Sequence, residues 1–274
     1  VNALGFITCC MGRLRFLKRT LGAIAGQAGC SVVVVDYSCP DGAGEWVDAA
    51  YPGVRVVREP GHATYNQCRA RNLGARAASA EWLCFIDADI LLAPTFTSAV
   101  LPLLEPGHYY RAEPLDDAGT WGTFLCRKAD FERVGGFDEV FQGWGDADVD
   151  FYEALERGGV KRRSYPASLL QHLPHDDDER VRHYENKDRW QNCSINRLYR
   201  MIKSHIVRLR GSDLTLAERE YFYRVAVGNV TAAVADGQAR QLTLKLGDAA
   251  TMPGGWSLGC SLTYRYEPPG AEGR

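Results

Sequence analysis

Apolar positions in roughly the first ninety residues fall into short runs separated by stretches with helical spacing, the pattern of alternating strands and helices. Leu4 to Thr8 reads as a strand, and the segment after it places Leu14, Leu17, Leu21 and Ile24 on one helical face. Val32 to Val35 is a continuous β-branched run, as expected of a central parallel strand buried on both faces. It ends in a polar, turn-rich loop, Asp36-Tyr37-Ser38-Cys39-Pro40-Asp41-Gly42. The alternation continues with a short helix around Gly44 to Ala50 and a strand over Val54 to Arg58. A helix over Tyr65 to Ala78, with Ala70, Leu73 and Ala77 inward, leads to a strand over Trp82 to Ile86. This predicts an α/β fold built on a Rossmann-like open sheet. No G-x-G-x-x-G follows any of these strands, so the dinucleotide fingerprint is missing.

The second half is mixed. Tyr109 to Ala112 and Thr123 to Arg127 read as strands, and Lys128 to Val134 as a short helix closed by Gly135-Gly136. A glycine- and acid-rich stretch from Phe137 to Phe151 leads into a helix ending near Arg157. Glu179 to about Ser204 reads as one charged helix, and Thr215-Leu216-Ala217-Glu218 as a capping box opening another that fades near Gly237. Leu242, Leu244 and Leu246, and then Leu258, Cys260, Leu262, Tyr264 and Tyr266, alternate with polar residues and predict a terminal hairpin. The pattern divides into a catalytic domain over 1–178, with halves at about 1–92 and 93–178, and an extension over 179–274.

Composition narrows the function. With 46% hydrophobic residues in 274, the chain can bury one substantial core, and a net charge of −2 gives no global pull towards nucleic acid. No apolar run approaches the roughly 18 residues that span a bilayer. The first residues, an apolar strand followed by basic ones, are in the wrong order for a signal peptide. Nine cysteines show no repeated C-x-x-C spacing; most, such as Cys84 and Cys126, sit inside apolar strands and read as buried thiols in a reducing cytoplasm, not as structural zinc.

The most informative stretch is Phe85-Ile86-Asp87-Ala88-Asp89, two carboxylates where an apolar strand runs out. Carboxylates there are costly unless a positive group accompanies them, and a divalent metal or a phosphate-bearing ligand would fit. The plainer alternative is that both cap a helix beginning near Pro94. Together with Val33-Val34-Val35-Asp36, Ala70-Arg71-Asn72-Leu73-Gly74-Ala75, and Gly135-Gly136-Phe137-Asp138-Glu139 leading into Gly143-Trp144-Gly145, this stretch resembles the GT-A-fold glycosyltransferases of the bacterial family-2 type. The nearest branch shares the carboxyl-terminal motif of β-1,4-galactosyltransferases and chondroitin-type polymerases, and the resemblance covers about residues 3 to 175.

The resemblance implies a mixed sheet flanked by helices, with a helical and β-hairpin extension. It also implies an inverting, metal-dependent transfer of a sugar from a nucleotide sugar, UDP-linked in most of this branch, to a glycan or lipid-linked acceptor in bacterial surface polysaccharide synthesis. Asp89 would ligate the metal with Asp87 as its partner. Asp36, Arg71, Asp87 and Trp144 would meet the donor. Aligned with the family's G-W-G-x-E-D, the general base is Asp148. The acceptor-binding Glu is replaced by Ala147, which leaves Asp146 and Trp144 for acceptor recognition. A histidine following the base helix would complete the metal site, His172 by position with His175 as the alternative. An imidazole among carboxylates suits Mn2+ better than Mg2+.

An acidic helix start is the plainer reading of Asp146, Asp148 and Asp150. The basic, amphipathic run Arg197, Arg200, Lys203, His205, Arg208 and Arg210 would either rest peripherally on an anionic inner membrane face or pack with a solvated basic side. Two other functions remain: a degenerate nucleotide-sugar or glycan-binding protein, and a sugar nucleotidyltransferase. The latter needs a glycine-rich basic loop after the first strand, where this chain has Thr8-Cys9-Cys10-Met11-Gly12-Arg13.

Overall fold

In the computed structural model, which describes residues 3–114, 118–252 and 256–268, the first half alternates as its hydrophobic pattern requires. Strand β1 (Leu4–Cys10) is followed by α1 (Leu14–Ala25), β2 (Cys30–Asp36), α2 (Ala43–Ala50), β3 (Arg55–Arg58), α3 (Gln67–Ala77) and β4 (Trp82–Phe85). After it come β5 (Ile90–Leu92), α4 (Phe96–Val100), β6 (His108–Glu113), β7 (Phe124–Arg127), α5 (Lys128–Arg133) and α6 (Ala147–Arg157). Strands β8 (Lys161–Pro166) and β9 (Leu170–His172) and helix α7 (Asp177–Val181) follow. Two long helices, α8 (Arg189–Arg210) and α9 (Leu216–Asp236), precede the hairpin strands β10 (Arg240–Met252) and β11 (Trp256–Tyr266).

Seven strands form one mixed sheet in the order β3-β2-β1-β4-β7-β6-β8. All its pairings are parallel except those of β7, which runs opposite to both β4 and β6. Alternate side chains serve opposite faces of the sheet. Leu4 and Phe6 pack with Leu14, Leu17, Leu21 and Ile24 of α1, the face read from the helical spacing. On the other face Phe85, Phe124, Phe131, Phe137 and Phe151 stack on one another, with ring centroids 4.3 to 5.6 Å apart along the chain of contacts. Helix α3 lies so close to this face that a Cβ on Gly74 would come within 2.4 Å of the Ile7 Cγ2 and 3.1 Å of the Val35 Cγ2.

Several features differ from the sequence expectation, the short strands β5 and β9 among them. Strand β8 was not foreseen, because Lys161, Arg162 and Arg163 are exposed on a sheet edge and carry no apolar alternation. Helix formation does not run unbroken from Glu179. Helix α7 ends at Val181, and α8 restarts where the Asp188 side chain accepts from the Gln191 amide. Asp87 and Asp89 do not cap the next helix, since β5 intervenes before α4 opens after Thr95.

The chain divides into two compact units, one of residues 1–142 and 147–187 and the other of 143–146 and 188–274. The first carries the large sheet. In the second, α9 begins with the complete capping box at Thr215 and Glu218, and the hairpin pairs Leu242 with Tyr264 and Leu244 with Leu262. Among the described residues no helix is long and apolar enough to cross a membrane.

Gly74 tests the close packing of α3. Gly74→Ala gains about 1 kcal/mol of helix propensity but must displace buried Ile7, a kind of overpacking that costs roughly 1–3 kcal/mol. A lower urea midpoint is therefore expected; an unchanged or raised midpoint would contradict the contact.

Candidate functional site

The two aspartates at the end of β4 are divided between two clusters. Asp89 immediately precedes β5, which pairs antiparallel with β9, Ile90 opposite His172. The Leu173 amide donates to the Asp89 carbonyl at 2.8 Å and extends that ladder. This brings His172 and His175 to Asp89. One ligand atom from each of the three residues lies within 4.8 Å of the other two. His175 Nε2 is 2.7 Å from Asp89 Oδ2, and Arg13 Nη1 is 3.4 Å from the same oxygen. Burial alone would raise the Asp89 carboxyl, but the His175 hydrogen bond and the charges of Arg13 and the histidines hold it below the ordinary range. The His172 ring occupies space that only a glycine leaves, since a Cβ on Gly119 would lie 2.4 Å from its Cγ.

These residues fit a divalent transition metal. One carboxylate and two imidazoles form a mixed O/N donor set of the kind that Mn2+ or Zn2+ accepts more readily than Mg2+. Both histidines considered from the sequence are in the cluster, so they are not exclusive alternatives.

Asp87 belongs to the second cluster. Arg71, in the middle of α3 and 3% exposed, donates to Asp87 Oδ1 at 2.9 Å, to Asp148 Oδ1 and to the Gly122 carbonyl at 3.3 Å. Its guanidinium also lies 5.2 Å from the Phe137 ring centroid. Asp148 comes from the first turn of α6, where a negative charge is favoured by the helix dipole. Burial pushes the Asp87 carboxyl up, Arg71 pulls it back in part, and the neighbouring Asp89 and Asp148 push it up again. Gly122 leaves room for this pairing, as a Cβ there would stand 2.7 Å from Asp87 Oδ2 and 2.8 Å from Arg71 Nη2.

Asp36, at the end of β2, accepts from the Cys39 amide at 2.8 Å and from the Gly44 amide at 2.6 Å. It thus ties the loop after β2 to the start of α2. Trp144 and Asp146 lie in the second unit. The Arg189 guanidinium sits 4.3 Å from the Trp144 ring centroid, and Asn196 donates to the Gly145 carbonyl at 3.0 Å. Asp146 accepts from Arg200 Nε at 2.8 Å, with Arg197 3.7 Å away. The glycines on either side of Trp144 have φ of +75° and +101°, and a Cβ on Gly143 would strike Asn192 Oδ1 at 2.3 Å. Within the basic run on α8, Arg197 and Arg200 face Asp146, Lys203 is buried and Arg210 pairs with Glu218.

Two features escaped the sequence reading. Arg13 lies three residues beyond the end of β1, and a basic residue just past the carboxyl end of a parallel strand is a signal that could have found it. Arg111, 5% exposed, is sandwiched between Trp121 and Tyr152 at 4.1 and 4.5 Å from the ring centroids, and Tyr152 donates to the Trp121 carbonyl at 3.0 Å. Nothing in the spacing of these three residues announces that stack.

A family model described as glycosyl transferase family 2 matches residues 6–117, and one described as the N-terminal domain of galactosyltransferase matches 112–178. Both matches support a glycosyltransferase, and each spans less than half of the chain. It is 29% identical over 139 residues to human β-1,4-galactosyltransferase 2, a match covering 46% of this chain and 37% of that protein. The Cricetulus griseus β-1,4-galactosyltransferase 2 is 27% identical over 141 residues, covering 46% and 38%. The matches therefore span less than two-fifths of those relatives' length.

Among solved structures, the mannosyltransferase PcManGT from Pyrobaculum calidifontis, in complex with GDP-Man and Mn2+, superposes with a TM-score of 0.56 at 18% identity. That match covers 86% of this chain and 74% of the other. S. aureus TarS 1–349 with UDP-GlcNAc gives 0.57 at 14%, covering 84% and 72%. At these identities the likeness establishes the fold, a GT-A arrangement of mixed sheet and flanking helices.

The buried guanidinium makes a direct prediction. Arg71→Met leaves Asp87 and Asp148 without their shared cation and should destabilise the chain by roughly 3 kcal/mol, as breaking one side of a buried ion pair does. Adding Asp87→Asn and Asp148→Asn should recover most of that loss in urea unfolding. Equal stability of the single variant and the parent would contradict the arrangement.

Proposed function

We propose that this chain transfers a sugar from a nucleoside-diphosphate donor, UDP favoured, to a hydroxyl of a glycan or lipid-linked acceptor, with inversion at the anomeric carbon. Bacterial surface polysaccharide synthesis at the cytoplasmic face of the membrane is the setting we favour. The observation that carries this reading is that Asp89, grouped with His172 and His175, lies two residues along the chain from Asp87, which shares Arg71 with Asp148. Charge neutralisation for a departing diphosphate would thus come from residues around the end of β4, and a carboxylate for proton removal from the start of α6.

A divalent cation, Mn2+ in preference to Mg2+, would supply Lewis-acid stabilisation of the departing diphosphate. Asp89, His172 and His175 are the residues that would hold it, with Asp87 as a supporting contact. In the proposed step Asp148 accepts the proton of the acceptor hydroxyl as its oxygen forms the new bond to the anomeric carbon. Arg71 sets the position of that carboxylate and, when donor is bound, supplies positive charge to the diphosphate. Asp36 organises the loop that would meet the nucleotide base or ribose. Trp144 would form a wall of the sugar pocket, and Asp146 would contribute to acceptor recognition where Ala147 replaces the family's glutamate.

The named relatives support the class of chemistry. Two proteins of this fold carry GDP-Man with Mn2+ and UDP-GlcNAc in their described complexes, and the curated relatives are galactosyltransferases. That range leaves both sugar and nucleotide to be assigned by measurement.

Turnover should be measured with a panel of UDP- and GDP-sugars. Chelation is expected to abolish it and Mn2+ to restore it more fully than Mg2+. Asp148→Asn should lower kcat by about 10²–10⁴-fold, the usual worth of a general base, while the donor Kd changes less than about threefold. Near-full transfer by that variant would overturn the assigned base. Donor binding without transfer to any acceptor in a broad panel would instead favour a degenerate binding protein.

A further inference from the structure

Two cysteines at the strand ends are unused by the reaction above and are arranged as a reactive pair. Cys10 closes β1 and is fully buried, whereas Cys39 lies half-buried in the loop that follows β2. Their sulfurs are 3.7 Å apart. The Gly12 amide donates to Cys39 Sγ at 3.3 Å, and the amides of Asp41 and Ala43 add further donors. Gly12 and Gly42 adopt φ of +65° and +70°, which turns the backbone on both sides of the sulfur. Backbone N–H groups converging on one sulfur favour its anion, as they do for any buried anion.

The remaining thiols with a resolved shift behave differently. Burial raises Cys9, Cys30, Cys68, Cys84 and Cys126. Cys39 alone is lowered, to about 6, by the Cys10 hydrogen bond and the three amides against the opposing effect of burial. Cys10 is raised and serves as the proton-bearing partner. At neutral pH the more accessible sulfur is therefore the nucleophile, and the buried one waits in contact with it.

We propose that Cys39 is an oxidation site for hydroperoxides and that Cys10 resolves the product to an intramolecular disulfide. In the first step the Cys39 thiolate attacks one peroxide oxygen and the O–O bond breaks. The departing oxygen leaves as hydroxide or, from an organic peroxide, as alkoxide, and Cys39 becomes a sulfenic acid. In the second step the Cys10 sulfur, giving up its proton, attacks the Cys39 sulfur. The S–O bond breaks and the oxygen departs as water. Two electrons pass from the thiol pair to the peroxide. The bond would fasten the end of β1 to the loop whose Cys39 amide is held by Asp36, so the modified residues adjoin the proposed donor side.

The test uses the intact chain and hydrogen peroxide at pH 7, and none of its readouts depends on sugar transfer. Intact mass should fall by about 2 Da, the two thiol hydrogens, and dithiothreitol should restore it. Fragmentation of proteolytic peptides should locate the bond between Cys10 and Cys39, with neighbouring Cys9 unmodified. Cys10→Ala should halt the sequence at the sulfenic acid, with dimedone adding to Cys39. This variant removes one sulfur from a buried site, and wild type alone still supplies the mass readout if it fails to fold. An unchanged mass, a disulfide joining other cysteines, or dimedone on another residue in Cys10→Ala would overturn the proposal.

Discussion

The Arg71 guanidinium is the interaction on which the rest of the site depends. Asp87 arrives from the end of the sheet and Asp148 from the start of α6, on segments 61 residues apart in the chain, and both carboxylates close on one buried cation. Without it, two half-buried negative charges would face each other beside a third, Asp89. Such an arrangement carries a desolvation cost that only pairing offsets. The guanidinium is itself held in place. Helix α3 can bring it to the sheet only because Gly74 allows close contact with Ile7 and Val35, and Gly122 leaves space beside Asp87. Packing and charge are thus one constraint here, expressed through two glycines and one arginine.

The second cluster depends on backbone pairing. Strands β5 and β9 are each three residues long, yet they decide where Asp89, His172 and His175 meet. The chain carries Asp89 outward from the principal sheet and immediately pairs it with a segment arriving from beyond α6. Arg13 and His175 then share one oxygen of Asp89, so its carboxylate is electrostatically satisfied and points into the cluster.

What was legible in the sequence follows from which forces leave a local pattern. The alternation of β-branched runs with helical faces announced β1 to β4 and α1 to α3, because burial on both faces of a parallel sheet demands it. Asp87 and Asp89 were visible for a related reason, as charges where an apolar strand ends. Strand β8 was hidden because an exposed edge carries polar residues, and β5 and β9 because three residues are too few to show a period. The separation of Asp87 from Asp89 was equally hidden. It arises from contacts with Arg71, His172 and His175, and no spacing rule tells two neighbouring carboxylates which of them will face a cation. The glycines beside Trp144 were visible only as part of a motif. Their physical reason, positive φ at both and close approach of Gly143 to Asn192, lies in a segment almost fifty residues downstream.

The central claim is that Asp89, His172 and His175 together bind the metal that serves the donor. Pulsed electron paramagnetic resonance on the Mn2+-loaded chain reads the ligand atoms directly, since imidazole nitrogen modulates the electron spin echo and carboxylate oxygen does not. Two imidazole couplings should be present in the parent chain, with one lost in His172→Ala and one lost in His175→Ala. A spectrum showing bound Mn2+ without nitrogen modulation, or modulation in either variant unchanged from the parent chain, would contradict the account.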